Sequence, residues 1–243
     1  MKTIGIIGGM SWESSAEYYR LINQGMKARF GAHNNAKSLM VTVNFQEIEE
    51  MQRAGHWDAA GNLLAAAARQ LEAGGADFIV LCTNTMHKMA AAIDDAVTIP
   101  LLHIADATGA AIQRAGIKRV GLLGTGFTME QDFYKGRLKE KFGLDVIVPD
   151  EADRLRVHTV IYDELCHGRI RESDRKEYQR IIAGFQADGA EGVILGCTEI
   201  MLLIKAGDVQ LPIFDTTQLH CDAAIEMALN EAVSNACSGC LPI

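Results

Sequence analysis

The sequence has no cluster of basic residues and no long hydrophobic run, and each absence excludes a class of partner. It carries 23 lysines and arginines against 31 aspartates and glutamates, which gives a formal net charge of −8. Affinity for nucleic acids rests largely on clustered lysine and arginine. No segment reaches the roughly 18 consecutive apolar residues that a membrane span needs. We therefore expect neither a nucleic-acid partner nor a membrane span.

The features of an exported or disulfide-linked protein are also missing. The first apolar run is interrupted by Glu13, Glu17 and Arg20, so it is too short for a secretory signal. The six cysteines are unevenly spaced, which is typical of reduced thiols rather than a disulfide framework. We expect a cytoplasmic protein. Cys237 and Cys240 have the spacing of a redox pair, but they stand so near the C-terminus that we expect a frayed tail without function.

Signatures of a dinucleotide or metal site are absent as well. The glycines of Gly5-x-x-Gly8-Gly9 and Gly124-x-Gly126 do not follow the Gly-x-Gly-x-x-Gly order, and no acidic residue at the end of a following strand is placed to hold a ribose. The seven histidines are not grouped with one another or with cysteines at metal-ligand spacing. We therefore predict no metal and no other cofactor.

Short apolar runs, bounded by glycine or proline, alternate with stretches of helical periodicity. This alternation indicates parallel sheets that are covered by helices on both faces. The predicted strands are 3–7, 39–43, 78–81 and 99–102 in the first half, and 119–123, 144–148, 192–195 and 211–214 in the second. The predicted helices are 14–28, 58–71, 129–142, 174–185 and 217–233.

The two halves of the chain repeat one another. Ile4-Gly-Ile-Ile-Gly8 matches Val120-Gly-Leu-Leu-Gly124 at an offset of 116 residues. Residues 75–81 match 189–195 at an offset of 114, and residues 97–100 match 209–212 at an offset of 112. Buried strands in general favour isoleucine and valine, which explains why the halves share these residues. It does not explain the Gly-Ala-acid segment that precedes the third strand of each half, or the paired prolines. We infer two related α/β halves.

Ligands of open parallel sheets bind beyond the carboxyl ends of the strands, so chemistry is expected in the residues that follow each repeated strand. After the first strand of each half come glycine turns, whose exposed N–H groups suit a small anion such as a carboxylate. Ser11, Thr125 and Thr128 add hydroxyl donors there, although helix capping alone also explains these residue types.

The ends of the third strands carry more chemistry. Aligning the halves places the following residues opposite one another: Thr83 and Cys197, Asn84 and Thr198, Thr85 and Glu199. A cysteine at a helix N-terminus has its thiolate favoured by the helix dipole and can act as a base near neutral pH. The alternative is a buried cysteine that packs as a small apolar side chain. Hydroxyl and amide groups beside the cysteine could hold the carboxylate and ammonium of an amino acid.

Taken together, these motifs resemble the aspartate/glutamate racemase family. The resemblance covers essentially the whole chain and rests on Gly8-Gly9-Met10-Ser11, Thr83-Asn84-Thr85, Gly124-Thr125 with Thr128-Met129, and Gly196-Cys197-Thr198-Glu199, the last being the most specific. It implies two pseudo-symmetric α/β domains, no pyridoxal phosphate or metal, and two cysteines on opposite faces of the substrate Cα. One thiolate removes the α-proton while the opposing thiol delivers another. Cys197 would serve the L-enantiomer.

The chain departs from the family pattern at the other cysteine. The family has Cys-Asn-Thr where this sequence has Thr83-Asn-Thr, and Cys82 stands one residue early. A shift of one residue on an extended strand end turns a side chain to the opposite side. We therefore expect Cys82 to face the core and Thr83 to occupy the catalytic position, where a hydroxyl can donate or relay a proton but is a poor base.

A second departure concerns Cys166, where relatives specific for aspartate often carry a lysine that binds a substrate carboxylate. We expect His167 or Arg169 to supply the cation instead. His87 lies four residues after Thr83; it either tunes the site or is a packed or surface histidine, the latter being the more common case.

The predicted fold class is α/β, with two pseudo-symmetric, Rossmann-like domains, each a mostly parallel sheet flanked by helices, and the active site in the cleft between them. Residues 1–103 and 213–243 form the first domain, and residues 104–212 form the second. The predicted catalytic residues are Cys197 and Thr83. The predicted substrate contacts are Met10, Ser11, Gln52, Asn84, Thr85, Thr125, Thr128, Thr198 and Glu199.

The predicted function is racemisation of aspartate, glutamate or both by α-proton abstraction and reprotonation, without a cofactor and with a preference for L-substrates. The expected partner is a small acidic amino acid, and a homodimer is compatible with the resemblance. Two alternatives stay open. One is a hydantoin racemase, maleate isomerase or arylmalonate decarboxylase of the same fold, and the other is an amino-acid-binding protein that has lost one base.

Overall fold

A computed structural model describes residues 1–230 of the 243-residue chain. Cys237 and Cys240 lie outside the described residues, so their assignment to a functionless tail stays a prediction. Within residues 1–230, no helix combines the length and the apolar character that crossing a membrane requires.

Eight strands form two separate parallel sheets in the part of the chain that the structure describes. The first sheet contains β1 (Ile4–Gly8), β2 (Ser38–Thr42), β3 (Phe78–Leu81) and β4 (Leu101–Leu102), in the order β2-β1-β3-β4. The second contains β5 (Arg119–Gly124), β6 (Asp145–Ile147), β7 (Gly192–Gly196) and β8 (Ile213–Asp215), in the order β6-β5-β7-β8. All eight predicted strands are present, with ends that differ by at most two residues, so the α/β prediction is confirmed.

Helices flank both sheets. They are α1 (Trp12–Phe30), α2 (Phe45–Ala54), α3 (Trp57–Ala73), α4 (Ala90–Asp94), α5 (Ile104–Arg114), α6 (Gly126–Glu130), α7 (Asp132–Phe142), α8 (Glu151–Asp163), α9 (Glu172–Ala187), α10 (Ile200–Leu203) and α11 (Thr216–Leu229). Short 3-10 turns cover Thr85–Met89 and Leu165–His167. Among the helices that the sequence did not predict, α2 packs on the first sheet through Ile48, which is buried, and through Phe45 and Met51, which are partly buried.

The repeat in the sequence is a repeat of strand register. Two pairs of facing residues in the first sheet are Ile4 with Phe78 and Ile79 with Leu101. The equivalent pairs in the second sheet are Val120 with Gly192 and Val193 with Ile213. These positions are related by the same offsets of 116, 114 and 112 residues that relate the matching segments. Each half therefore brings the ends of its first and third strands together in the same way.

The C-terminal helix returns to the first sheet. Side chains of α11, including Cys221 and Ile225, share a buried cluster with Ile4 and Tyr18, and the Lys2 N–H donates to the Ala228 carbonyl at 2.9 Å. β8 follows the predicted domain boundary between residues 212 and 213, and it pairs with β7 of the second sheet. We propose that the first domain resumes after Asp215, while α5 belongs to the second, whose core contains Ile104 and Ile112.

Candidate active site

The carboxyl ends of the strands from both sheets meet at one cavity. It is narrow, with a volume of about 40 Å³, which is below the range of about 300–1,000 Å³ typical of small-molecule sites. The cavity is lined by nine of the eleven predicted site residues: Met10, Gln52, Thr83, Asn84, Thr85, Thr125, Cys197, Thr198 and Glu199. Both halves contribute, as a site in the cleft between them requires.

The two remaining predicted residues, Ser11 and Thr128, support the lining from behind. Ser11 is the N-cap of α1 and accepts a hydrogen bond from the Ser14 N–H at 3.3 Å. The Ser11 hydroxyl also donates to Glu199 Oε1 at 3.1 Å. Thr125 is the N-cap of α6, and its hydroxyl oxygen lies 3.2 Å from the hydroxyl oxygen of Thr128. Ser11 and Thr125 thus each cap a helix and also lie at or beside the cavity.

The turn before α1 depends on Gly9. Its φ of +95° lies in the left-handed region, and a Cβ there would come within 2.1 Å of the Val43 carbonyl oxygen. Only glycine fits such a close approach. The Gly9 N–H donates to Ser15 Oγ at 2.7 Å, which fixes the turn against the first residues of α1. This geometry brings Met10 to the cavity and Ser11 behind its lining.

Cys197 directly follows β7, and its thiol is bound to a carboxylate. The Cys197 S–H donates to Glu199 Oε2 at 3.0 Å. Burial and the nearby charge of Glu199 raise the pKa of the Cys197 thiol well above its usual value. The expectation of a thiolate favoured by a helix dipole is wrong for this structure, because α10 is a single turn and a carboxylate stands beside the sulfur. Glu199 is instead the group placed to take the thiol proton.

Thr83 and Cys82 lie on opposite sides of the strand end, as the one-residue shift predicts. Thr83 lines the cavity, whereas Cys82 is fully buried among core residues that include Tyr18 and Cys221. Burial raises the pKa of the Cys82 thiol well above its usual value. The Thr83 N–H donates to the Leu81 carbonyl at 2.9 Å, so the chain turns tightly here. Cys82 is therefore neither exposed to the cavity nor easily ionised.

The halves exchange equivalent contacts across the cleft. The hydroxyl oxygen of Thr85, in the first half, lies 2.9 Å from the hydroxyl oxygen of Thr125, the N-cap residue in the second half. Glu199, the residue aligned with Thr85, reaches the N-cap Ser11 of the first half in the same manner. The geometry is pseudo-symmetric but the chemistry differs, since one side has a carboxylate where the other has a hydroxyl.

Within residues 1–230, no lysine, arginine or histidine lines this cavity. The prediction that His167 or Arg169 supplies a cation is wrong, because both are exposed and Arg169 pairs with Glu164 at 2.8 Å. The 3-10 turn that contains Cys166 places this side chain at the cavity and leaves His167 outside. The side-chain hydrogen-bond donors that line the cavity, among the described residues, are therefore neutral groups.

Asn84 has an oriented amide with one free acceptor. Its Nδ2 donates to Thr216 Oγ1 at 3.0 Å, and the Thr216 hydroxyl in turn donates to the Leu195 carbonyl at 2.9 Å. Because Thr216 uses its only hydrogen there, it must accept from Asn84, which fixes the orientation of the amide. Asn84 Oδ1 is buried without a hydrogen-bond partner. This oxygen is available to a donor such as an ammonium group.

Sequence reasoning missed Tyr162, which lines the cavity and donates to Gln52 Oε1 at 3.3 Å. Burial, and then the neighbouring Cys197 and Cys166 thiols, raise the pKa of the Tyr162 hydroxyl, so it remains a neutral donor. The available signal was its place in the sequence, because Tyr162 stands four residues before Cys166.

Comparison with known proteins finds one matching family and several relatives and solved structures that resemble this chain. Residues 7–224 match the family described as Asp/Glu/Hydantoin racemase. The structure resembles that of a Yersinia pestis protein assigned as an Asp/Glu racemase, with 53% identity, a TM-score of 0.89, and coverage of 94% of this chain and 100% of the other. An aspartate racemase homologue from Pyrococcus horikoshii OT3 is 35% identical, with a TM-score of 0.83 and coverages of 94% and 99%. The broad specificity amino-acid racemase RacX of Bacillus subtilis (strain 168) is 25% identical over 218 residues, or 88% of this chain and 92% of that protein.

Proposed function

This chain belongs to the Asp/Glu/hydantoin racemase family, which places it among the isomerases, and we propose that it racemises aspartate, glutamate or both without a cofactor. The observation that carries the proposal is the Cys197–Glu199 pair, which faces the same cavity as Thr83 from the other half of the molecule. A base and a proton donor on opposite faces of one carbon atom are what racemisation by proton transfer needs.

The first step is the transfer of the thiol proton from Cys197 to Glu199 Oε2, the atom that already accepts it. The resulting thiolate removes the α-proton of the L-substrate, and the electron pair of the C–H bond remains on the substrate as a carbanion. Cys197 is a thiol again after this step. Return of the thiol proton to the same face gives back the L-form, and the proton on Glu199 then returns to Cys197. Delivery of the Thr83 hydroxyl proton to the other face gives the D-form, after which the proton held by Glu199 passes through solvent to Thr83 and restores the resting site.

Substrate binding relies on neutral groups. The free acceptor Asn84 Oδ1 suits the α-ammonium group, and the hydroxyls of Thr85 and Thr125 suit the α-carboxylate. Gln52 also lines the cavity, where the Tyr162 hydroxyl donates to its Oε1 and its Nε2 donates to Met86 Sδ. The second hydrogen of the Gln52 amide can donate to the carboxylate of the side chain. Donors of this kind, fixed before the substrate arrives, stabilise the charge that develops on the carboxylate as the α-proton leaves.

Thr83 stands on the face that a second cysteine occupies in the family. Its hydroxyl can deliver or relay a proton, but it is a far weaker base than a thiolate. We therefore propose a preference for L-substrates in proton abstraction. Because Cys197 must remain a reduced thiol, the proposal also fits the cytoplasmic location predicted from the sequence.

The test is incubation of the protein with L-aspartate and with L-glutamate in heavy water, followed by NMR of the α-proton and by chiral chromatography. Loss of the α-proton signal together with formation of the D-enantiomer is the expected result. Binding without any loss of the α-proton would support an amino-acid-binding protein instead. Absence of both binding and exchange would point to another substrate of the same fold.

A further inference from the structure

Three buried histidines lie directly behind Thr83, and none of them lines the active-site cavity. His87, His103 and His220 are at most 5% exposed. The centroid of the His87 ring lies 4.6 Å from the centroid of the His103 ring and 5.8 Å from that of the His220 ring. We infer that His87 is a positioning residue for Thr83, an inference that rests on the proposed function because Thr83 acts in that reaction.

The contact between His87 and Thr83 is direct. His87 Nδ1 lies 2.6 Å from the Thr83 carbonyl oxygen. In a regular α-helix this carbonyl would accept the backbone N–H of residue 87, four positions later. Here the His87 N–H donates to the Asn84 carbonyl at 3.1 Å, as in a 3-10 turn. The imidazole therefore takes the place of the missing backbone donor, and it holds the turn that presents Thr83.

The hydrogen bonds also assign the tautomer of His87. Its Nε2 accepts the backbone N–H of Ile104 at 3.2 Å, so this nitrogen carries no proton. The proton of the neutral ring is then on Nδ1, from which it is donated to Thr83. A charged ring would lose the acceptor for Ile104, since both nitrogens of an imidazolium ion are donors. Burial and the neighbouring His103 and His220 lower the pKa of His87 well below its usual value, which agrees with a neutral ring.

The same cluster links Thr83 to the two places where the chain passes between the halves. Ile104 begins α5 immediately after the first passage. His220, in the helix that follows the second passage, donates from Nε2 to the Leu102 carbonyl at 2.8 Å and accepts from Tyr18 at Nδ1 at 2.9 Å. His87 therefore sets Thr83 relative to the segment that joins the halves. The distance between Thr83 and Cys197, which belong to different halves, depends on that segment.

Two substitutions at residue 87 separate the two hydrogen bonds. His87→Asn keeps a donor near the position of Nδ1 and loses the contact with Ile104. His87→Gln keeps an acceptor near the position of Nε2 and loses the donor to Thr83. The matched control is His103→Asn, which removes another histidine of the cluster, has no contact with Thr83, and retains a good N-cap for α5.

The measurement is the ratio of D-product formation to α-proton exchange of the L-substrate, in heavy water. Exchange at the L-face depends on Cys197, which His87 does not touch, whereas D-product formation needs Thr83. We expect His87→Gln to lower the ratio roughly 10- to 100-fold, the effect of a misplacement of about 1 Å. His103→Asn should keep the ratio of the unmodified protein, whereas His87→Asn, which keeps the donor to Thr83 but loses the contact with Ile104, should lower the ratio less than His87→Gln does. An unchanged ratio in His87→Gln, or an equal fall in His103→Asn, would overturn the inference.

A second measurement does not depend on activity or on the folding of a variant. The ¹⁵N chemical shifts of the His87 ring in the unmodified protein should show a proton on Nδ1 and none on Nε2. A proton on Nε2 would remove the donor to Thr83 and overturn the assignment. If the unmodified protein exchanges neither amino acid, the proposed function fails, while the tautomer still decides the hydrogen bond between His87 and Thr83.

Discussion

Ser11 and Glu199 are 188 residues apart in the chain, yet the Ser11 hydroxyl donates to Glu199 Oε1 at 3.1 Å across the cleft. The second oxygen of the same carboxylate accepts from the Cys197 thiol at 3.0 Å. Glu199 is therefore held in place by the first half of the molecule while it acts on a cysteine of the second half. The basicity of Cys197 thus depends on both halves.

Replacement of Cys197 by serine should abolish α-proton exchange of the L-substrate and leave the fold intact. Serine has nearly the same size, but its hydroxyl is too weak a base, and loss of a general base costs about 10²- to 10⁴-fold in rate. Cys166→Ser is the matched control, because Cys166 lines the same cavity. Exchange is measured by NMR and folding by circular dichroism. Near-normal exchange in a folded Cys197→Ser protein would contradict the assignment.

The exchange of L-substrate should be nearly independent of pH between about 7 and 9 in the unmodified protein. Transfer of the thiol proton to Glu199 leaves the total charge of the pair unchanged, so bulk pH does not set the amount of thiolate. In Glu199→Gln this acceptor is lost and burial still raises the pKa of the thiol, so the rate should fall at pH 7 and rise about tenfold per pH unit. Glu13→Gln, at an exposed position of α1, is the control. A flat profile in Glu199→Gln would exclude Glu199 as the acceptor.

The enantiomers should differ in exchange, with L-aspartate or L-glutamate faster than the D-forms. Enantiomers have equal free energies, so kcat/KM for net racemisation is the same in both directions. The asymmetry of Cys197 and Thr83 can therefore appear only as exchange with retention at the L-face. Thr83→Cys should raise exchange of the D-substrate by about one or two orders of magnitude, the scale of a general base. Equal rates for D and L in the unmodified protein would show that a second base exists.

Activity should survive chelators and hydroxylamine but fall on thiol alkylation. The sequence offers neither a phosphate cup with a Schiff-base lysine nor a metal-ligand grouping. No three side chains of His, Cys, Asp or Glu within residues 1–230 are placed to hold a metal ion. Alkylation of the Cys166→Ser protein should still inactivate it, because Cys197 remains. Inactivation by a chelator alone would reveal a metal requirement.

Acidification should destabilise the fold through the buried histidines. Burial lowers the pKa of His103 to about 3 and that of His220 to about 4, whereas in the unfolded chain both lie near 6.5. Below about pH 6.5 the unfolded state binds more protons, so stability falls as the pH falls, by about 1.4 kcal/mol per pH unit for each neutral histidine. Arg137, which faces His103 and pairs with Asp106, acts in the same direction.

The measurement is the free energy of unfolding by urea between about pH 6.5 and 5, where carboxylates contribute little. The slope should decrease in His103→Asn and stay the same in His33→Asn, because His33 is exposed. A constant free energy of unfolding over this range would show that the cluster is not neutral in the native state.

The sequence alone determined the eight strands, the repeat and the residues at the strand ends. These are local properties. Buried strands need continuous apolar runs, and the register of the parallel strands repeats with the same offsets as the sequence. The opposite placement of Cys82 and Thr83 was also predictable, because side chains at a strand end alternate between two sides.

Only the tertiary structure decided what these residues touch. The sequence favoured a helix dipole as the partner of Cys197, but the partner is the carboxylate of Glu199, fixed by Ser11 from the other half. The cation expected beside Cys166 is absent from the cavity lining within residues 1–230, and His87 gains its partners only when distant segments pack behind Thr83. Such contacts depend on how two sheets face each other. Periodicity within either half carries no information about that arrangement.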